Sequence, residues 1–128
     1  MEITQSVAEG RVPITIFRIS GAFNADEPLT GMVKDVVAAG ARNILLDLAG
    51  VTYISSVGLR VLHTAYSLLR DTSETKEEVS AGIREGTYYS PHLKLLKPTK
   101  WVLDILQMSG YDMFLKSFTD EKQAVASY

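Results

Sequence analysis

The sequence contains no cysteine among its 128 residues, which excludes disulfide bonds, thiol catalysis and cysteine-based metal sites. No apolar run approaches the ~18 residues of a membrane-spanning helix, and no charged-then-apolar signal opens the chain. The formal net charge is −2 at pH 7, so charge gives no reason to expect binding to nucleic acid or to an anionic membrane. These absences predict a cytoplasmic protein without membrane insertion or direct nucleic-acid binding.

Common enzyme and cofactor motifs are also missing. The sequence has no Gly-x-Gly-x-x-Gly, no Gly-x-x-x-x-Gly-Lys-Ser/Thr and no Gly-x-Ser-x-Gly. His63 and His92 belong to separate predicted elements, and neither has a carboxylate at metal-ligand spacing. We therefore expect no cofactor, no metal and no catalytic residue. The alternative, a small enzyme with Ser56 as nucleophile, needs a general base that the sequence does not indicate.

The run from Ile44 to Leu48 is the clearest strand pattern. It is apolar except for Asp47, which is typical of a central strand covered on both faces. The next residues, Ala49-Gly50, predict a tight turn and then a short extended piece. The length of the chain favours one domain, which would bury about 65% of the surface of the unfolded chain.

A serine pair then predicts the start of a helix. Ser55 or Ser56 can supply the N-cap, at a point where free backbone N–H groups converge. The helix is expected to continue to about Arg70. Its predicted inner stripe comprises Gly58, Val61, Leu62, Ala65, Leu68 and Leu69, whereas Leu59, His63 and Tyr66 fall on a flank.

The segments before the central strand predict a hairpin and a helix. Ile3–Ser6 and Pro13–Ser20 alternate as strands on either side of Gly10. Asn24 or Asp26 can cap the following helix. Its apolar stripe comprises Leu29, Met32, Val33, Val36 and Val37. Strand, helix and strand in this order favour a parallel pair with a right-handed crossover.

The second half of the chain contains an unusual connection. Residues 71–91 are polar and glycine-containing, and a structureless loop of this length is uncommon inside a compact domain. We expect an insertion, either a surface loop or a partner-specific element. The remaining predicted elements are a strand at Leu93–Leu96, a helix capped by Thr99 with Trp101 facing inward, a strand at Met113–Phe118 and a terminal helix capped by Thr119.

The central stretch resembles a family pattern, roughly Leu-Asp-Leu-Ser-x-Val-x-Phe-Ile-Asp-Ser-Ser-Gly-Leu-Gly, that of the STAS domain. The corresponding residues here are Leu46-Asp47-Leu48-Ala49-Gly50-Val51-Thr52-Tyr53-Ile54-Ser55-Ser56-Val57-Gly58-Leu59-Arg60. The resemblance implies an α/β fold for residues 1–128, with a mixed sheet of about five strands and helices mainly on one face. It also implies that Ser56 is a phosphoacceptor, because the aligned serine of antagonist members is phosphorylated by a partner kinase.

Three differences from the family bear on the predicted phosphosite. Ser55 replaces an acidic residue, which leaves Ser55 as a rival phosphoacceptor. Arg60 replaces a glycine and adds a cation beside the predicted interface. Asn24 aligns with an aspartate near the phosphosite of many members. It could hydrogen-bond to the site or serve only as a turn residue.

Other residues are assigned roles around the predicted phosphosite. Asp47 could shape the serine turn and disfavour negative charge nearby, or it could bond loop N–H groups. Gly58 lets the helix lie close to the sheet. Leu59, Arg60 and His63 are the predicted partner contacts. Leu59, His63 and Tyr66 could form an exposed apolar flank for a partner, although such residues are more often half-buried against a neighbouring loop.

The resemblance implies a phosphorylation-controlled binding module of the anti-sigma factor antagonist type. Unphosphorylated, it would bind an anti-sigma factor with a kinase fold and so release a sigma factor. The partner kinase would use ATP, and a phosphatase is a further partner to expect. The alternative is a STAS scaffold or accessory subunit, stressosome-like or in a lipid or anion transport complex, that needs no phosphorylation.

Overall fold

The structure is a computed structural model, and it describes residues 1–70, 79, 81–83 and 88–128. The predicted insertion at 71–91 lies largely outside the described residues and stays a prediction.

Five strands form one mixed sheet in the order β1-β2-β3-β4-β5. Strands β1 (Glu2–Glu9) and β2 (Pro13–Phe23) pair antiparallel as the predicted hairpin. The sheet continues in parallel through β3 (Ile44–Ile54), β4 (Leu93–Leu96) and β5 (Ser117–Phe118). Strand β3 is therefore central, and the predicted mixed sheet is confirmed.

Helices cover the two faces of this sheet unequally. One face carries α1 (Leu29–Ala38), α2 (Ser56–Leu69) and α3 (Lys100–Met108), all packed over the larger hydrophobic core. The other face carries the short α4 (Glu121–Ala126) over a smaller cluster. This arrangement confirms helices mainly on one face. No helix among the described residues is long and apolar enough to cross a membrane.

The apolar composition of β3 follows from its burial on both faces. Leu46 and Leu48 belong to the larger core under the helices, and Leu45 belongs to the cluster under α4. Successive side chains of a strand point to opposite faces, so the side chains on both faces must be largely apolar here. The alternation places Asp47 on the same face as Leu45.

The tight turn predicted at Ala49-Gly50 is wrong. Strand β3 continues through these residues, and its register against β2 shifts between Asp47 and Gly50 and again between Val51 and Tyr53. A Cβ on Gly50 would lie only 2.9 Å from the Cβ of Ser20, so a residue without a side chain fits this close crossing. The Ala-Gly pair therefore marks a bulge inside a strand.

The capping residues predicted for α1 are also wrong. Pro28 occupies the N-cap position and makes no side-chain cap. The Glu27 carboxylate instead accepts a hydrogen bond from the N–H of Gly31 at 3.2 Å, and the Asp26 carboxylate accepts one from the hydroxyl of Thr30. Glu27 thus satisfies one free N–H of the first turn, whereas the Asp26 carboxylate holds the side chain of Thr30.

The second half of the sequence was predicted less well than the first. Thr99 caps α3 as expected, because its Oγ1 accepts from the N–H of Val102 at 3.4 Å. Trp101 does not face inward: it is 74% exposed. The strand predicted at Met113–Phe118 is reduced to the two residues of β5, and Asp120 rather than Thr119 is the N-cap of α4.

Candidate functional site

The start of α2 resolves which serine caps the helix. Ser55 is the N-cap, with extended backbone angles, and its Oγ accepts a hydrogen bond from the N–H of Gly58 at 3.3 Å. Its own N–H donates to the carbonyl oxygen of Phe23 at 3.1 Å. Ser55 is half-buried and is used structurally by both its backbone and its side chain.

Ser56 has a different environment. It is the first residue of α2 and is exposed. Its hydroxyl makes no hydrogen bond to any residue that the structure describes. A modifying enzyme could therefore reach the Ser56 oxygen without removing a contact that stabilises the helix.

Gly58 explains how closely α2 approaches the sheet. A Cβ at this position would lie 2.4 Å from the carbonyl oxygen of Phe23 and 2.7 Å from Cγ1 of Ile54. Only glycine fits such an approach without displacement of the backbone. The prediction that Gly58 permits close packing is confirmed.

The same contacts bring Asn24 to the site. Asn24 follows Phe23, whose carbonyl oxygen contacts the backbone of Ser55, so it lies at the edge of the sheet where α2 begins. Its side chain is exposed and forms no hydrogen bond to the serines. The structure therefore brings together Asn24, Ser55, Ser56 and Gly58.

The structure does not place Asp47 near the serines, so that prediction is wrong. Asp47 precedes Ser55 by eight residues of strand, or roughly 25 Å at the usual rise. Its carboxylate bonds the guanidinium of Arg18 at 2.7 Å and accepts from the N–H of Ala49 at 3.0 Å. Arg18 also bonds Glu121 of α4 at 2.9 Å. Of the two roles considered, only the bond to a nearby backbone N–H is observed.

The outer face of α2 contains part of the predicted contact set. Arg60 and His63 are exposed on α2. Leu59 is half-buried and packs against the larger core, so it offers less surface to a partner. A role for these three residues in partner binding stays a prediction.

Of the two environments considered for Tyr66, an exposed flank and burial against a neighbouring loop, the structure shows burial. It is 7% exposed, and its ring packs edge-on against Phe114 with 5.1 Å between centroids. Its hydroxyl lies 2.9 Å from the hydroxyl of Tyr88. Residues distant in sequence bury this tyrosine, so helical periodicity alone did not reveal it.

A buried lysine was not identified from the sequence. Lys94 of β4 is 7% exposed, and its Nζ donates to the carbonyl oxygen of Ser127 at 2.8 Å and to its Oγ at 2.9 Å. The same Nζ lies 4.5 Å from the ring centroid of Tyr128. Burial lowers the pKa of Lys94. The only available signal was a lysine within the otherwise apolar run Leu93–Leu96.

Comparisons with known proteins agree with the fold described above. The model of the STAS domain family matches residues 5–74, more than half of the chain. No curated protein sequence matches the chain.

Several solved structures share the fold. A Thermotoga maritima protein, described as a candidate anti-sigma factor antagonist, has a TM-score of 0.71 and 18% identity, over 95% of this chain and 90% of that one. An anti-sigma factor antagonist from Mycobacterium paratuberculosis has a TM-score of 0.62 and 20% identity, over 97% and 94%. The Bacillus cell fate determinant SpoIIAA, in its phosphorylated form, has a TM-score of 0.62 and 17% identity, over 96% of each chain. From the family match and the shared fold, we conclude that this chain belongs to the STAS domain family.

Proposed function

We propose that this chain is an anti-sigma factor antagonist whose binding is switched off by phosphorylation of Ser56. Unphosphorylated, it binds an anti-sigma factor with a kinase fold in the cytoplasm and thereby frees a sigma factor. The observation that carries the proposal is that the Ser56 hydroxyl, at the start of α2, is exposed and makes no hydrogen bond to any described residue. The names of the similar structures support the same role, and one of them, SpoIIAA, was solved in a phosphorylated form.

The proposed modification is a phosphoryl transfer from ATP. The Ser56 oxygen attacks the γ-phosphorus, the bond from that phosphorus to the β-γ bridging oxygen breaks, and ADP leaves. The hydroxyl proton passes to a base of the kinase or to solvent. In this scheme the chain supplies only the acceptor oxygen, and the kinase supplies the nucleotide site and the catalysis.

Phosphorylation would end binding through charge and hydration. A phosphoserine carries about −1.5 to −2 charge at pH 7. The first turn of a helix tolerates that charge, so the fold of this chain need not change. A partner packed flat against α2 would instead face a hydrated dianion in place of a small hydroxyl. A loss of about 3 kcal/mol in binding free energy reduces affinity roughly a hundredfold.

We extend the proposal to the whole chain as one STAS domain over residues 1–128 with an insertion at 71–91. Ser55 is the rival acceptor. Its half-buried position and its hydrogen bond to Gly58 argue against it, because phosphorylation there would remove the helix cap.

A pull-down from host lysate with four parallel baits tests the switch. The baits are the wild type, Ser56→Ala, Ser56→Asp and Ser67→Asp, and bound proteins are identified by mass spectrometry. Ser67 is an exposed serine of the same helix, eleven residues further on, so it controls for added charge on α2.

The expected result is a kinase-fold anti-sigma factor bound by the wild type, Ser56→Ala and Ser67→Asp, and lost with Ser56→Asp. If all four baits hold the same partner equally, control at Ser56 is wrong. The scaffold or transport-accessory function would then replace it.

A further inference from the structure

Arg60 is a free cation on the same exposed side of α2 as Ser56. It is exposed, and no described residue forms an ion pair or hydrogen bond with its guanidinium. Only its backbone is engaged, since its carbonyl oxygen accepts from the hydroxyl of Thr64 at 3.0 Å. Ser56 and Arg60 lie four residues apart within one helix, and residues at this spacing are neighbours on a helix surface.

No acidic side chain of the described residues around the start of α2 forms an ion pair with Arg60. Residues 56–69 of α2 include no aspartate or glutamate. In the connection between β2 and α1, the Asp26 and Glu27 carboxylates are engaged by the hydroxyl of Thr30 and the N–H of Gly31. His63 is the other imidazole or cationic side chain on α2, and it lies seven residues after Ser56. A phosphate on Ser56 would therefore bring an anion next to an unpaired guanidinium.

We propose that Arg60 binds the phosphate of Ser56 within the same helix. This inference rests on the proposed function only in assuming that a phosphate is placed on Ser56. A guanidinium presents a planar fork of N–H donors that can bind two phosphate oxygens at once. An ammonium group lacks this planar arrangement. The pair forms without rearrangement of the fold, because both side chains already face solvent from adjacent turns.

The pair gives phosphorylation a second effect on the partner surface. In the unphosphorylated chain, Arg60 is available to a carboxylate of the partner. In the phosphorylated chain, the phosphate of Ser56 withdraws that cation while adding a dianion. Arg60 stands where the family pattern has glycine, so this device belongs to this chain's own sequence rather than to the family pattern.

Phosphorus NMR of the full chain tests the proposal without the partner or its kinase. Phosphoserine is installed at position 56 during translation, and the second pKa of the phosphate is measured by titration. The phosphorylated forms compared are the otherwise wild-type chain, Arg60→Gln, Arg60→Lys and Lys122→Gln. Lys122 is an exposed lysine of α4, on the other face of the sheet. Its replacement changes the net charge by the same amount as Arg60→Gln, but far from Ser56.

A bound guanidinium favours the dianion and lowers its second pKa. We expect Arg60→Gln to raise this pKa by a few tenths of a unit, Arg60→Lys to raise it less, and Lys122→Gln to leave it unchanged. An equal pKa in the wild-type chain and Arg60→Gln would overturn the proposal, as would an equal rise with Lys122→Gln. Because the phosphoserine is installed during translation and needs no partner kinase, failure here leaves the pull-down result unaffected, and failure of the pull-down leaves this result unaffected.

Discussion

The Cα of Gly58 lies so close to the carbonyl oxygen of Phe23 that a Cβ on Gly58 would fall 2.4 Å from that oxygen. This approach joins the start of α2 to the end of β2, and it sets the position of Ser55, Ser56 and Asn24 relative to one another. The geometry of the proposed phosphosite therefore depends on a glycine that carries no chemistry itself.

Gly58→Ala is expected to destabilise the protein by about 1–3 kcal/mol, because the new methyl group overlaps backbone that cannot move freely. Gly31→Ala in α1 is the matched control: its Cβ would meet the flexible end of the Glu27 side chain, 2.8 Å away, which can turn aside with the loss of only its exposed hydrogen bond to the N–H of residue 31. We expect the control to change stability by less than about 1 kcal/mol. Urea denaturation of both variants measures the difference, and equal stabilities would contradict the packing argument.

Ser55→Ala and Ser56→Ala should differ in stability although they are adjacent. Removing the Ser55 hydroxyl leaves the N–H of Gly58 without its cap, at a cost of about 1 kcal/mol. Removing the exposed Ser56 hydroxyl should change stability by less than about 0.5 kcal/mol. Thermal or denaturant unfolding of the pair checks this, and a larger loss with Ser56→Ala would show that the capping assignment is reversed.

Asp47→Asn is expected to affect stability but not partner switching. The substitution weakens a half-buried ion pair with Arg18 on the face of the sheet away from α2, at a cost of about 1 kcal/mol. In the pull-down, this variant should bind the same partner as the wild type and should still lose it when combined with Ser56→Asp. If a folded Asp47→Asn protein no longer bound the partner, Asp47 would have to be counted among the residues of the binding site.

The stability of the protein should fall as the pH rises above 10, and Tyr128 should contribute to that fall. Burial raises the pKa of Tyr128 above its ordinary value of 10.0, and its hydroxyl donates to the carbonyl oxygen of Ile44. Above pH 10 the unfolded chain loses this proton while the folded chain keeps it, so folding becomes less favourable.

Tyr128→Phe should therefore flatten the alkaline limb of a stability-against-pH curve, while losing about 1 kcal/mol at neutral pH with the hydrogen bond. Two other groups of the described residues have shifted pKa values that matter in this pH range. Burial also raises the pKa of Tyr111, which acts in the same sense, and the lowered pKa of Lys94 acts in the opposite sense; both residues remain in the variant. An unchanged slope above pH 10 would contradict the role of Tyr128.

The hydrophobic pattern within a segment was enough to predict those strands and helices whose buried face follows from that pattern alone. The alternation of β2, the apolar run at the start of β3 and the stripe of α2 each identify an element without reference to the rest of the chain. The site residues Ser55, Ser56 and Gly58 came with these elements, because a helix start lies where strand pattern ends. Their order in the chain was enough to bring them together.

The sequence was insufficient where contacts with segments distant in the chain decide the length of a strand or the burial of a side chain. Asp47 looked like the end of a strand, but β2 pairs with β3 through two register shifts and extends it to Ile54. The burial of Tyr66 stayed open, because Phe114 and Tyr88, which cover it, are distant in sequence. A sequence contains no direct signal of such contacts, so neither position could be assigned from its neighbours.

Identification of the phosphorylated atom is the decisive test of a switch at Ser56. The partner captured by the wild-type bait is purified and incubated with this chain and Mg-ATP, and the phosphate is located by mass spectrometry. The account predicts one phosphate, on Ser56, no phosphorylation of Ser56→Ala, and roughly hundredfold weaker binding of the phosphorylated chain. Phosphate on Ser55, or phosphorylation of Ser56 with no loss of affinity, would contradict it.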